Sequence, residues 1–247
     1  MDWTKAKSIL IMALIVTNIV LIFTYVFKDD IFVSNDKTVL SDTVGLLERK
    51  NIFIETKIPQ KHSRMPVLTV EYDTINQNLL EEQLLDQKPL PRGEWTDKKI
   101  VQMVTALIDK CGLLTENVKF ESIENKNDEA IVTYKNYINE IAIEDSYIIC
   151  TIKDGKVENI QRYWLNPVQS GKTKKAKKEI ISAAAALIKF MSKNNQDEKI
   201  FVEDISLVYW LDSSSFNTES PVSDTALPAW KITYNHGKTM HIMAYEQ

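Results

Sequence analysis

The 247-residue sequence predicts an α+β fold: an N-terminal transmembrane helix, then extracytoplasmic repeated units in each of which a helix packs on an antiparallel β-sheet. Three observations carry that prediction. Ser8 to Phe27 is a run of twenty residues without a formal charge, which at 1.5 Å per residue matches the ~30 Å hydrocarbon core of a bilayer. Two amphipathic stripes of identical spacing recur eighty residues apart. Each stripe is followed by alternating apolar segments that turn at a glycine, the pattern of a β-hairpin.

The charges around the first run set its orientation. Lys5 and Lys7 precede it with Asp2, and Lys28, Asp29 and Asp30 follow it, so the positive excess lies on the N-terminal side. A single pass is expected, with a short cytoplasmic tail and residues 28 to 247 outside the cell membrane. A cleaved signal peptide would have a shorter apolar core and a small-x-small site. This run instead closes on Thr24-Tyr25-Val26-Phe27, so residues 1–30 are expected to stay as tail and anchor. Asn18 falls near the bilayer midplane, with Thr17 beside it and Ala13 and Thr24 close to the Thr17 side. Such residues either contact a neighbouring helix or are tolerated on a passive tether; they are the candidate membrane-helix interaction residues.

The formal net charge of −4 argues against a nucleic-acid partner. Cys111 and Cys150 are the only cysteines. Two are too few for a disulfide scaffold and their spacing matches no zinc or redox motif; they are two buried thiols or one structural disulfide.

Residues 31–94 form an N-terminal extracytoplasmic α/β segment. A helix over 37–50 carries Leu40, Val44 and Leu47 on one side, "NIFIETKIP" and "MPVLTVEYD" alternate as strands, and "NQNLLEEQLLDQ" suits a short helix. Pro89, Pro91 and Gly93 then mark a boundary. The first helix-plus-sheet unit, 95–168, opens with a stripe of Ile100, Val101, Val104, Leu107, Ile108 and Cys111. The second, 172–247, repeats it as Ile180, Ile181, Ala184, Leu187, Ile188 and Met191. Strand candidates "NVKFESIE" and "AIVTYKNYINEI" precede a hairpin turning at Asp154-Gly155 in the first unit. "KIFVEDISLVYWLD" precedes one turning over 235–238 in the second. Within that unit, 212–224 is rich in Ser and Asp without periodicity and reads as a flexible loop.

Nothing in the sequence assembles an active site, so no catalytic, cofactor-binding or metal residue is assigned and no cofactor is expected. His62 sits in a polar connection, His236 at a hairpin tip and His241 on the returning strand, without HExxH or His-x-His spacing. Ser213, Ser214 and Ser215 lie in the loop, which cannot hold a nucleophile against a base. Cys150 alternates with Ile148 and Ile152, as a core residue does, and Glu140, Glu144 and Asp145 read as turn or solvated charges. The strand tryptophans Trp164, Trp210 and Trp230 either pack the sheet or form an outer interface.

The opening "MDWTKAKSI" running into one membrane segment, the "LLERKNIFIETKIP" region and the closing "LPAWKITYNHGKTMHIMAYEQ" together resemble the YycI-type (WalI) family, regulators of the WalK/WalR two-component system of low-GC Gram-positive bacteria. The resemblance covers the whole chain. It implies a non-enzymatic membrane-anchored regulator whose partners are a WalK-type sensor histidine kinase, met through the membrane helix, and a YycH-type homologous regulator, met through the outer domains. Whether it activates or inhibits is left open, and self-association is compatible with it. An anchored module that binds or inhibits through its outer domains alone is the alternative.

Overall fold

The computed structural model describes residues 3–26, 39–60, 64–126, 129–168, 177–194, 198–211 and 223–245. Its elements in chain order are α1 (Trp3–Val26), α2 (39–48), β1 (Ile52–Ile54), β2 (Leu68–Asp73), α3 (Gln77–Leu85), α4 (Asp97–Lys110), β3 (Val118–Lys126), β4 (Glu129–Ile138), β5 (Ile141–Lys153) and β6 (Lys156–Pro167). There follow α5 (Ala183–Lys193), β7 (Ile200–Leu211), β8 (Ser223–Tyr234) and β9 (Lys238–Met243). His62, Ser213, Ser214, Ser215 and positions 212–222 of the expected loop lie outside the described residues.

β3 to β6 form an antiparallel meander. Alternation puts Val132, Cys150 and Ile160 in line across three strands on the face that α3 and α4 cover. Helix α4 begins because the Thr96 hydroxyl accepts the Lys99 N–H. It ends because Gly112 takes a φ of 68° and lets Leu113 N–H reach back to Ile108 O. The Asp154-Gly155 turn has positive φ at both residues, as a two-residue hairpin loop requires. Cys111 and Cys150 are buried free thiols, and burial, with Cys111 beside it, pushes the Cys150 thiol up to about 12.

The second core gathers α5, β7, β8 and β9 with Leu47 of α2, Ile52 of β1, Val70 of β2, Ile143 of β5 and Leu165 of β6. Among the described residues the sheet is nine-stranded and continuous, where the sequence suggests two separate antiparallel ones. β2 pairs β6 on one edge and β8 on the other, both antiparallel. β1 and β5 each pair β7 in parallel, which corrects the purely antiparallel expectation. The pairings β5–β6–β2–β8–β7–β5 form a closed circuit.

Helix α5 is shorter than its apolar stripe. Ile181 N–H bonds Ala244 O, and Ile181 O accepts the Trp230 indole N–H at 2.9 Å. These bonds hold Ile180 and Ile181 outside the helix, and Ser182 caps it by accepting the Ala185 N–H. The buried face becomes Ala183, Ala184, Ala186, Leu187 and Phe190, while Ile188 is left 40% exposed although its counterpart Ile108 is fully buried.

Helix α1 behaves differently. Its described apolar side chains are all exposed, from 53% at Ile15 to 73% at Trp3, and they lie on every side of the helix. The side chains described in it are those of Trp3, Lys7 and residues 10–22, and among the described residues no helix is long and apolar enough to cross a membrane.

Candidate functional site

The two cores meet where β5 changes partner. Lys135 of β4 faces Tyr147, but the next residue, Asn136, faces Ile143, so Glu144, Asp145 and Ser146 of β5 form a bulge. A bulge bends the strand and re-aims its side chains. Below it, from Tyr147, β5 pairs β6; above it, at Ala142 and Ile143, it pairs Val208 and Tyr209 of β7. As β6 departs, two buried side chains replace the lost ladder bonds: Ser146 Oγ accepts the Leu165 N–H at 3.0 Å and Asn136 Nδ2 donates to Leu165 O at 2.8 Å.

The bulge directs Glu144 into a charged cluster. One carboxylate oxygen lies 3.2 Å from Lys135 Nζ and the other 2.5 Å from Lys231 Nζ of β8, with all three side chains at most 20% exposed. Burial pushes the Glu144 carboxyl up, but the Lys231 hydrogen bond and the two lysine charges outweigh it and leave its pKa lowered. Asp145 accepts the Leu211 N–H, yet burial and the Glu144 charge hold its pKa up. His241 of β9, the register partner of Lys231, stacks on Trp210 with ring centroids 5.1 Å apart and planes within 5°. Its Nε2 is buried without a hydrogen-bond partner, and burial lowers its pKa.

The tryptophan candidates divide. Trp164 and Trp230 are 3% and 1% exposed, so they are core residues and not an outer interface. Trp164 lies under the Arg162 guanidinium, which is tied to Asp73 at 2.6 Å, and Trp230 spends its indole N–H on Ile181. Only Trp210 reaches the junction. Glu144 and Asp145 are half-buried partners there, in contrast to their reading as solvated charges, while Glu140 is an exposed turn residue paired with Lys119. In α1, Thr17 Oγ1 donates to Ala13 O at 2.6 Å, and the exposed Asn18 has no partner in the chain among the described residues. The side chain of Thr24 lies outside the described residues. Also among the described residues, no group of three or more His, Cys, Asp and Glu is placed to hold a metal ion.

A family model described as YycI protein matches residues 34–245. The chain belongs to the YycI family. That is a regulatory family, tied to the WalK/WalR system. Among solved structures, this YycI chain is similar to the C-terminal domain of YpeB from Bacillus megaterium, at 11% identity and a TM-score of 0.37, covering 64% of either chain. No match is found among curated proteins.

The YycI chain also carries a tyrosine row that sequence reasoning missed. Tyr163 of β6 stacks on Tyr147 of β5 and meets Tyr72 of β2 edge-on, at 6.1 and 5.4 Å. Burial and the Tyr72 hydroxyl push the Tyr163 phenol up. Neither the row nor the charged cluster has a sequence signature, because the members come from strands brought together only by the bulge and by β2. The one local clue is a lysine, Lys231, between the buried Trp230 and Ile232.

Proposed function

We propose that this YycI chain is a non-enzymatic, membrane-anchored regulator of a WalK-type, cell-wall-sensing histidine kinase. In this reading α1 crosses the membrane once, with residues 1–7 cytoplasmic and 28–247 extracytoplasmic. Its Ala13–Thr17–Asn18–Thr24 side touches the kinase's membrane helices, and the outer units bind a YycH-type homologue that sets whether the contact forms. The observation that carries the reading is the uncharged run Ser8 to Phe27, whose twenty residues are the number a helix needs for the ~30 Å core, together with the apolar side chains described in α1, which are exposed on every side. A helix apolar all round has no face to reserve for water. Since Thr17 already bonds its own backbone, Asn18 is the group left seeking a neighbour, and such interhelical bonds are worth ~0.6 to 2 kcal/mol.

Exchange of residues 8–27 for an unrelated membrane helix of equal length spares every outer contact. Kinase output should change while binding of the homologue persists, and N18L should weaken kinase association without altering expression or topology. Unchanged output after the exchange would place regulation in the outer units alone. Protease added to intact spheroplasts should leave a small membrane-embedded stub; a mature chain beginning near residue 28 would remove the anchor from the mechanism.

A further inference from the structure

We propose that the junction of the two cores is an acid-responsive latch, in which protonation of His241 draws Glu144 away from Lys231 and loosens the β5–β7 pairing. This holds whatever the chain's partners are, since it concerns only groups inside the outer fold.

The geometry is that of a joint held by few bonds. Among the described residues β5 and β7 are paired at two positions, Ala142 with Val208 and Ile143 with Tyr209. Next to them, the Glu144–Lys231 contact ties β5 of the first core to β8 of the second, and Asp145 ties the bulge to the Leu211 N–H of β7. The groups facing the imidazole are Glu144 and Asp145 from β5, Lys135 from β4, Lys231 from β8 and Trp210 from β7. While His241 is neutral, one carboxylate serves two lysines and the imidazole only packs on the indole.

A proton on His241 puts a second cation directly across from Lys231, and like charges opposed on neighbouring strands repel. It also makes the buried Nε2 a charged donor that must find an acceptor. Glu144 and Asp145 are the carboxylates within its field. The stacked indole favours the cation and keeps the ring in place, so the rearrangement falls on the lysine side chains and the bulge. Burial opposes the charge and holds the transition below the usual 6.5. The sign follows: the unfolded chain takes up this proton first, so stability falls as pH drops from about 6.5 through the lowered folded value. Glu144, also lowered, acts in the same sense at more acid pH, while the raised Asp145 acts in the opposite one.

Hydrogen exchange on the full-length chain in lipid nanodiscs, corrected for intrinsic rates, tests the latch at pH 7 and pH 5. Amides of 141–147 and 205–211 should lose protection by about tenfold at pH 5, the scale of one interaction of ~1.4 kcal/mol, while those of α4 hold theirs. H241F keeps the stack without the titration and should retain protection at pH 5; H241Q, smaller and polar, serves the same purpose if the phenyl variant misfolds. Equal protection at both pH values in the parent chain, or equal loss in parent and variant, would overturn the proposal.

Discussion

Gly155 shows how one residue can fix the relation between segments far apart in sequence. Its φ is 79°, and a Cβ placed there would lie 2.3 Å from Leu90 O. The close approach lets Leu90 N–H bond Gly155 O at 2.8 Å, while the Gln87 carboxamide pairs with both the N–H and the C=O of Val157. The linker after α3 is thereby clamped to the β5–β6 turn. Gly155→Ala combines a left-handed backbone with a backbone clash, so urea denaturation should show a loss of about 1–3 kcal/mol. Gly237, also at positive φ but with open space around its Cβ position, should lose less. The sequence marks Asp154-Gly155 as a turn from its residue types alone. It holds no sign that Leu90 sits against it, because that is a contact between segments sixty-five residues apart.

At the scale of elements, patterning located most helices and strands, and it failed where a side chain or a remote strand changed a terminus. The stripe from Ile180 to Met191 has helical spacing throughout, yet its first two residues are held by Ala244 and Trp230. Helical spacing records which residues are apolar and not which are already bound elsewhere. The β5 bulge was likewise invisible, since "EDS" in a strand reads as a turn when its neighbours are unknown. Ser146 is the element's critical support: its hydroxyl is the acceptor for a buried Leu165 N–H. Ser146→Ala should cost about 1–3 kcal/mol by leaving that donor unpaired. Ser192→Ala, which removes an exposed bond to Lys189 O, should stay within ~0.5 kcal/mol, and the two can be compared in one set of thermal melts.

For the whole molecule, the eighty-residue repeat leads to an expectation of two separate helix-and-sheet units, whereas the described strands form one continuous sheet over two cores. β2, from a segment that precedes both, joins the two cores by pairing β6 on one edge and β8 on the other, alongside the β5–β7 pairing. Val70 in β2 is fully buried in the second core, and Asp73 at its end holds Arg162 over Trp164 in the first. The two cores should therefore unfold together. Hydrogen exchange in α4 and in α5 is expected to collapse at the same urea concentration, and Val70→Asp, a buried unpaired charge, should lower both midpoints. Separate midpoints in the parent chain would show that the shared strand does not couple the cores.

The position of β2 also has a consequence for how the fold is reached in time. A ribosome delivers β2 early, but its two neighbours, β6 and β8, emerge roughly ninety and one hundred and fifty residues later, and Tyr245 must still donate its hydroxyl to Met65 O. Pairings that distant carry a large loop-closure cost and slow the search for them. The β3–β6 meander with α4 can collapse on its own local contacts and offer β6 to one edge of β2, leaving the edge that β8 will take unpaired and open to other chains. Nascent chains halted before β8 are thus the aggregation-prone species, and a holding chaperone would find its work in the interval between β2 and β8.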